Sequence, residues 1–349
     1  MVSLSERRKY QLYTWIVFVA VGGLVGFLYI RLTAGSRLPE VVATYPGLRG
    51  GLLIAGLSAG LELFLISGSL GYWMFKRPFY QTLFLRLMMH WLLITGALLL
   101  GHKSTEILVG ASQEVDYGIE WILPDTIAAF FILALMLFFI QMRTLIGGRA
   151  LMNFLTGRYH RPVEEERIFL LIDVVGSTHL AKKLGDRKFY NYLSDFFGDL
   201  DSVVFENRGE VYSYIGDAVI VTWPLKKFRG SHRVIETILQ GQQRMEKRGD
   251  WYKKRYGVWP KFRAIVHGGN IMAGEYGGYR RQITYLGDVI NTTARLENLC
   301  KELEVSVLLS EAAVGMVTIP STVTLRDLGS HGLKGLDQPV KVFGLDQVA

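Results

Sequence analysis

The chain has 349 residues, half of them hydrophobic, a formal net charge of +8 and a single cysteine, Cys300. That length allows two domains of about 100 to 200 residues each. One cysteine excludes an intrachain disulfide and fits a reducing compartment, and the sequence has no zinc-ligand spacing, Walker-type loop or internal repeat.

Apolar residues concentrate ahead of residue 142 in four runs: Tyr10 to Ile30, Gly51 to Met74, Leu83 to Leu100 and Leu123 to Ile140. A helix crosses the ~30 Å hydrocarbon layer with about 20 mostly apolar residues, so each run is expected to span a membrane. The first run follows Arg7, Arg8 and Lys9 but is too long for a signal peptide and lacks a small-residue cleavage pattern, so a retained anchor is expected. Arg7 to Lys9, Lys76 with Arg77, and Arg143, Arg149, Arg158 and Arg161 fall on one side, which is expected to be cytoplasmic; Glu106, Glu114, Asp116 and Glu120 fall on the other. Arg31, Arg37 and Arg49 weaken this count without reversing it. The expected location is the plasma (inner) membrane, with the N-terminus and the second domain in the cytoplasm. Since part of the basic excess flanks the four runs, it requires no nucleic-acid partner.

Two features of these runs go beyond length. Gly22 with Gly26 and Gly56 with Gly60 have the spacing that lets membrane helices approach closely. Glu62 lies 12 residues from Met74 and His90 lies 10 from Tyr80, depths of roughly 18 and 15 Å at 1.5 Å per residue. The two side chains can therefore meet at one level, either as a structural interhelical hydrogen bond or as a sensing site for a small ligand or a proton.

Residues 147–167 read as a polar linker, and from Ile168 the pattern turns to alternating strands and amphipathic helices. The expected order is a buried strand ending at Asp173, a helix from Thr178 to Glu206, a hairpin over 212–223 and a helix from Ser231 to Lys247. A strand from Phe262 to His267 follows, with a turn at Gly268 and Gly269. A strand pair (Ile271 to Glu275, Gln282 to Tyr285), a helix from Val289 to Leu303 and short terminal strands complete it. The expected organisation is an all-α four-helix transmembrane domain over 1–142, a cytoplasmic coupling linker over 143–163 and an α/β (α+β) domain over 164–349.

In "YSYIGDAVIVTW" (212–223), Gly216 and Asp217 read as a tight hairpin turn, and by itself Asp217 is simply a turn residue. Asp173, however, ends a strand that would lie beside that hairpin. Two carboxylates at adjacent strand ends repel unless a cation lies between them, and a hard divalent ion suits one or two carboxylates plus substrate phosphates. The turn after Asp173, with Gly176, Ser177 and Thr178, leads into a helix N-terminus whose free N–H groups attract phosphate.

"FLLIDVVGST", "SYIGDAVIVTW", "YLGDVINTTARLE" and "LKGLDQPVKVFGL" together resemble the catalytic domain of class III nucleotidyl cyclases, over residues 164–349 and in that family's order and spacing. The resemblance implies that Asp173 and Asp217, with the backbone carbonyl of Val174, hold two divalent cations, Mg²⁺ or Mn²⁺. It implies that Asn291 orients the ribose, that Arg295 stabilises charge on the phosphate and that Lys334 contacts the terminal phosphates. It also implies a homodimer, because one site takes its aspartates and its Asn/Arg pair from different protomers. Two positions depart from the family pattern. Ser213 stands where adenine-specific members usually have Lys and guanine-specific members Glu, and Thr284 stands where an adenine-reading Asp is usual. Hydroxyls can read either purine. The expected protein is a membrane-anchored cyclase that converts ATP to 3′,5′-cyclic AMP and pyrophosphate. The alternatives are a guanylyl cyclase and a catalytically silent nucleotide-binding receptor.

Overall fold

A computed structural model describes residues 6–34, 52–62, 77–109, 126–127, 130–135, 137–138, 142, 152–154, 156–279 and 281–347. The chain divides into two compact units, Met1–Ile146 and Gly147–Ala349.

The described elements of the first unit are helices: α1 (Glu6–Ala34), α2 (52–62), α3 (Phe79–Val109) and helical residues 130–135 of the fourth apolar run. Ile94 packs with Leu133 and Leu137, and Ile54 and Leu87 close the cluster. Many other apolar side chains point outward, among them Leu12, Ile16 and Leu24 of α1 and Phe84 and Leu92 of α3. Trp15 of α1 donates its indole N–H to the carbonyl of Gly56 at 3.2 Å, and a Cβ on Gly60 would lie 3.9 Å from the same ring. The small-residue spacing in α2 therefore faces α1. Four membrane-spanning helices are expected from the sequence; among the described residues no helix is long and apolar enough to cross a membrane. Residues 51 and 63–74 of the second run and part of the fourth lie outside the described residues.

The second unit is built on an eight-stranded sheet with order β2-β3-β1-β4-β6-β8-β7, and β5 pairs with β4. Its strands are β1 (Val163–Val174), β2 (Glu210–Ile215), β3 (Ala218–Pro224), β4 (Phe262–Tyr276), β5 (Gln282–Leu286), β6 (Val307–Ser310), β7 (Val323–His331) and β8 (Val340–Gln347). Every pairing is antiparallel except β4 with β6. Residues 167–174 of β1 are all buried because both faces of the sheet are covered, which is why that strand reads as a continuous apolar run. On one face Ile168, Leu170 and Ile172 meet α5 (Asp186–Glu206) through Tyr192, Phe196 and Leu200, and α6 (Arg233–Tyr256) through Ile238 and Tyr252. On the other face Phe169 and Leu171 meet α7 (Asp288–Glu302) through Leu296, Leu299 and Cys300. Full burial of each large aliphatic or aromatic side chain contributes about 1.5–3 kcal/mol.

Three boundaries differ from the sequence reading. The helix expected over 178–206 is two helices, α4 (Ser177–Leu184) and α5, broken at Gly185, whose φ of 71° an L side chain rarely adopts. Helix α6 runs on to Tyr256 and stops at Gly257, in the left-handed conformation of a helix C-cap. Gly268 and Gly269 form no turn; they lie inside the single 15-residue strand β4. A Cβ on Gly268 would sit 2.5 Å from Met316 Sδ, and one on Gly269 2.9 Å from Val289 Cγ2. These glycines admit close neighbours on the sheet.

The segment before β1 belongs to this unit. Tyr159 is only 2% exposed and lies in the same core as Phe169 and Tyr285. Its carbonyl accepts from the amide of Glu275 at 2.9 Å and its hydroxyl donates to the Glu165 carboxylate at 3.1 Å. The other oxygen of that carboxylate accepts from buried Arg167, which also reaches Glu210 at 2.7 Å and lies 4.7 Å above the Tyr285 ring.

Candidate active site

The sheet brings the two acidic positions together. Asp173, near the end of β1, pairs with Ala218 of β3, and the Val174 amide donates to the Asp217 carbonyl at 3.3 Å. Asp217 is the second residue of a two-residue hairpin loop, and Gly216 before it takes φ +61°, so the turn needs glycine at its first position. Asp173 is almost wholly buried and Asp217 half-buried. Burial pushes the Asp173 carboxyl up to about 6; Lys301 opposes the rise, and the charges of Glu297 and Asp217 add to it.

Lys301 is the cation at this end of the site. Its Nζ lies 3.4 Å from Asp173 Oδ2 and 2.5 Å from Glu297 Oε1. The sequence singled out neither residue, because a Glu and Lys four apart on a helix look like an ordinary surface pair. Among the described residues no three His, Cys, Asp or Glu side chains converge as a metal-binding group. A divalent cation nevertheless fits here. Asp217 and Glu297 both raise the Asp173 carboxyl, a local surplus of negative charge, and Mg²⁺ bound through two carboxylates takes its other oxygens from substrate and water. Beyond Val174, Gly176 with φ +70° turns the chain into α4, where Ser177 and Thr178 present the helix N-terminus.

The remaining positions fall elsewhere on the domain. Asn291 and Arg295 lie on α7, ten and six residues before Lys301, so Asn291 stands about 15 Å along the helix from the turn beside Asp173. Asn291 is exposed and Arg295 half-buried. The Arg295 guanidinium covers Gly335, next to the exposed Lys334. The chain thus presents carboxylates at one place and Asn291, Arg295 and Lys334 at another. Ser213 lies on β2 and donates weakly to the Tyr214 carbonyl at 3.4 Å, while Thr284 on β5 has a buried hydroxyl oxygen with no hydrogen-bond partner. The rings of the residues beside them, Tyr212 and Tyr285, meet at a tilt of 33° with 4.7 Å between centroids, which ties the two strands together. Cys300 is fully buried and its thiol is pushed up to about 11 by burial, so it is core packing.

In the first unit Glu62 of α2 lies 3.8 Å from His90 Nε2 and 3.8 Å from Arg86 Nη1, both on α3. His90 Nδ1 is 2.8 Å from the Arg86 carbonyl, which can only accept, so this nitrogen carries the hydrogen. Arg86 was not singled out by sequence; its place one turn before His90 is the signal that could have found it.

A sheet flanked by helices, with two aspartates at neighbouring strand ends and an Asn/Arg pair one helix turn apart, defines a nucleotide cyclase domain. The profile of the family "Adenylate and Guanylate cyclase catalytic domain" matches residues 161–347, and the chain belongs to that family. It is 31% identical over 338 residues to "Adenylate cyclase 2" of Rhizobium meliloti (strain 1021), spanning 95% of this chain and 86% of that protein. It is 24% identical over 180 residues to "Adenylate cyclase" of Anabaena cylindrica, spanning 50% of this chain and 35% of that protein. A bacterial light-regulated adenylyl cyclase shares the fold, with a TM-score of 0.53 at 17% identity over 67% of this chain and 68% of that one. The enzyme is a phosphorus–oxygen lyase of the adenylate cyclase type.

Proposed function

We propose that the chain is a homodimeric, membrane-anchored adenylate cyclase that converts ATP to 3′,5′-cyclic AMP and pyrophosphate. The observation that carries the reading is the separation within one protomer of the Asp173–Asp217 end from Arg295, which lies at Gly335. Neither end is sufficient, and a second copy related by a two-fold axis would bring each to the other twice.

Asp173 and Asp217 would hold two divalent cations, Mg²⁺ or Mn²⁺, with the Val174 carbonyl beside them. When bound, such ions supply charge neutralisation and lower the pKa of a coordinated hydroxyl. The amides at Gly176, Ser177 and Thr178 bind the triphosphate, and Lys334 neutralises its far end. Asn291 orients the ribose so that its 3′ oxygen stands in line with the α-phosphorus. As that oxygen gives up its proton to solvent and bonds to phosphorus, the bond to the bridging oxygen breaks and pyrophosphate leaves, and Arg295 stabilises the charge on the α-phosphoryl oxygens. Ser213 and Thr284 read the purine edge; the unpartnered Thr284 oxygen supports this role.

Membrane anchoring is supported by the apolar side chains that α1 and α3 turn outward, a surface suited to lipid as its solvent. Glu62, Arg86 and His90 gather polar groups inside that unit and suit a site where a ligand or proton alters helix packing. The deciding experiment supplies purified full-length protein with ATP or GTP and Mg²⁺ or Mn²⁺ and measures both cyclic nucleotides. Cyclic AMP is expected in excess, with modest discrimination because two neutral hydroxyls read the base. A greater yield from GTP would make the enzyme a guanylyl cyclase, and no product from either would leave a silent nucleotide-binding receptor.

A further inference from the structure

We propose that Lys301 is a built-in counter-ion of Asp173, holding the carboxylate in the nucleotide-free protein and giving way when a divalent cation binds, so that it sets metal affinity. The inference rests on the reading of Asp173 as a metal ligand. Asp173 is 4% exposed and ends a strand inside the sheet, so it cannot turn away to find another partner. Lys301, by contrast, approaches on a flexible stem from the last turn of α7, with 43% of its side chain exposed.

The backbone beneath Lys301 is fixed. The preceding residue, Cys300, is fully buried, and its thiol donates to the Val305 carbonyl at 3.2 Å. The ammonium is thus delivered to Asp173 by a rigid helix end and restrained by Glu297, whose carboxylate holds it at 2.5 Å. An ion pair with one partner this exposed adds little to folding stability. Its electrostatic consequence for a second cation is larger. A divalent ion on Asp173 would stand within a few ångströms of the ammonium, and repulsion between them, even at high effective dielectric, weakens binding on the order of tenfold. Glu297 supplies the place to which Lys301 retreats. Lys301 is therefore a positioning residue, acting on the reaction through Asp173.

The test uses full-length protein without nucleotide and follows free Mn²⁺ by electron paramagnetic resonance during titration. Lys301→Met, which keeps the stem, is expected to tighten Mn²⁺ binding about tenfold, whereas Lys301→Arg, which keeps the charge, is expected to bind close to wild type. Glu297→Gln is expected to weaken binding, because the ammonium then rests on Asp173 alone. Asp173→Ala separates the two readings. If it leaves Mn²⁺ binding unchanged, Asp173 is not a metal ligand. If it abolishes binding while Lys301→Met binds as wild type or more weakly, the metal reading stands and the counter-ion proposal is overturned. Should Lys301→Met fail to fold, Lys301→Gln carries the same expectation and the same overturning result.

Discussion

The guanidinium of Arg295 lies over Gly335 so closely that a Cβ there would stand 3.2 Å from Nη2. Gly335 also holds φ +77°, which L side chains rarely adopt. This glycine, in the connection between β7 and β8, thus sets the height of the arginine, and it also fixes the backbone beside Lys334.

On the proposed role of Arg295, Gly335→Ala is accordingly expected to lower kcat by roughly ten- to a hundredfold, with a smaller loss of nucleotide binding through Lys334, since a small misplacement of a group acting in the transition state is costly. Steady-state kinetics alongside equilibrium nucleotide binding checks this. A variant with wild-type kcat would detach Gly335 from the position of Arg295.

Asp173→Ala and Arg295→Ala should each abolish turnover alone. Mixed in equal amounts they should recover about a quarter of wild-type activity, because half the dimers are mixed and each mixed dimer keeps one intact site of two. The measurement is cyclic AMP formation after co-expression with two different affinity tags. Inactive mixed dimers would overturn the shared site.

The raised carboxyl of Asp173 makes a prediction about stability without metal. Its pKa of about 6 in the folded protein exceeds the value near 4 of an unfolded chain, so its favourable contribution is full below about 4 and is lost as pH rises through 6. In excess chelator, Asp173→Asn should therefore melt a few degrees above wild type at pH 7.5, with the difference fading towards pH 4. Calorimetry at the two pH values checks it; equal melting temperatures at pH 7.5 would show that the carboxylate carries no burial penalty.

Gly268→Ala tests the reading of β4 as one strand. The added methyl meets Met316 Sδ at 2.5 Å and the Arg167 carbonyl at 3.1 Å, and overpacking of this kind costs about 1–3 kcal/mol. Urea unfolding should report that loss, and Met316→Ala in the same chain should return part of it. A neutral Gly268→Ala would place the glycine back in a flexible turn.

The sheet was largely legible in the sequence because its strands are short apolar runs bounded by turn residues. Asp173 at a strand end and Gly216–Asp217 between two strands needed no tertiary information. Glycine was the harder letter. Gly185 breaks a helix, and Gly268 and Gly269 sit inside a strand, yet all three share a composition signal with turns; only neighbours distant in sequence, such as Met316 and Val289, tell them apart. Lys301 was hidden for a related reason, since its local pairing with Glu297 gives no sign of Asp173, 128 residues earlier. Tyr159 was hidden inside a segment whose polar composition reads as a linker.

That tyrosine changes what the connecting segment can be. A side chain 2% exposed, bonded through its hydroxyl to β1 and through its carbonyl to β4, does not let the chain behind it swing as a loose tether. Arg158 is bonded to Glu165, and Glu165 through Arg167 is joined to Glu210 and Tyr285. The segment is a short arm packed inside the domain, and its buried tyrosine lies two residues ahead of the family match at residue 161. A soluble fragment cut at that match would discard the arm and leave a tyrosine-sized hole beside Phe169 and Tyr285, so any measurement of the isolated domain should begin upstream of residue 156.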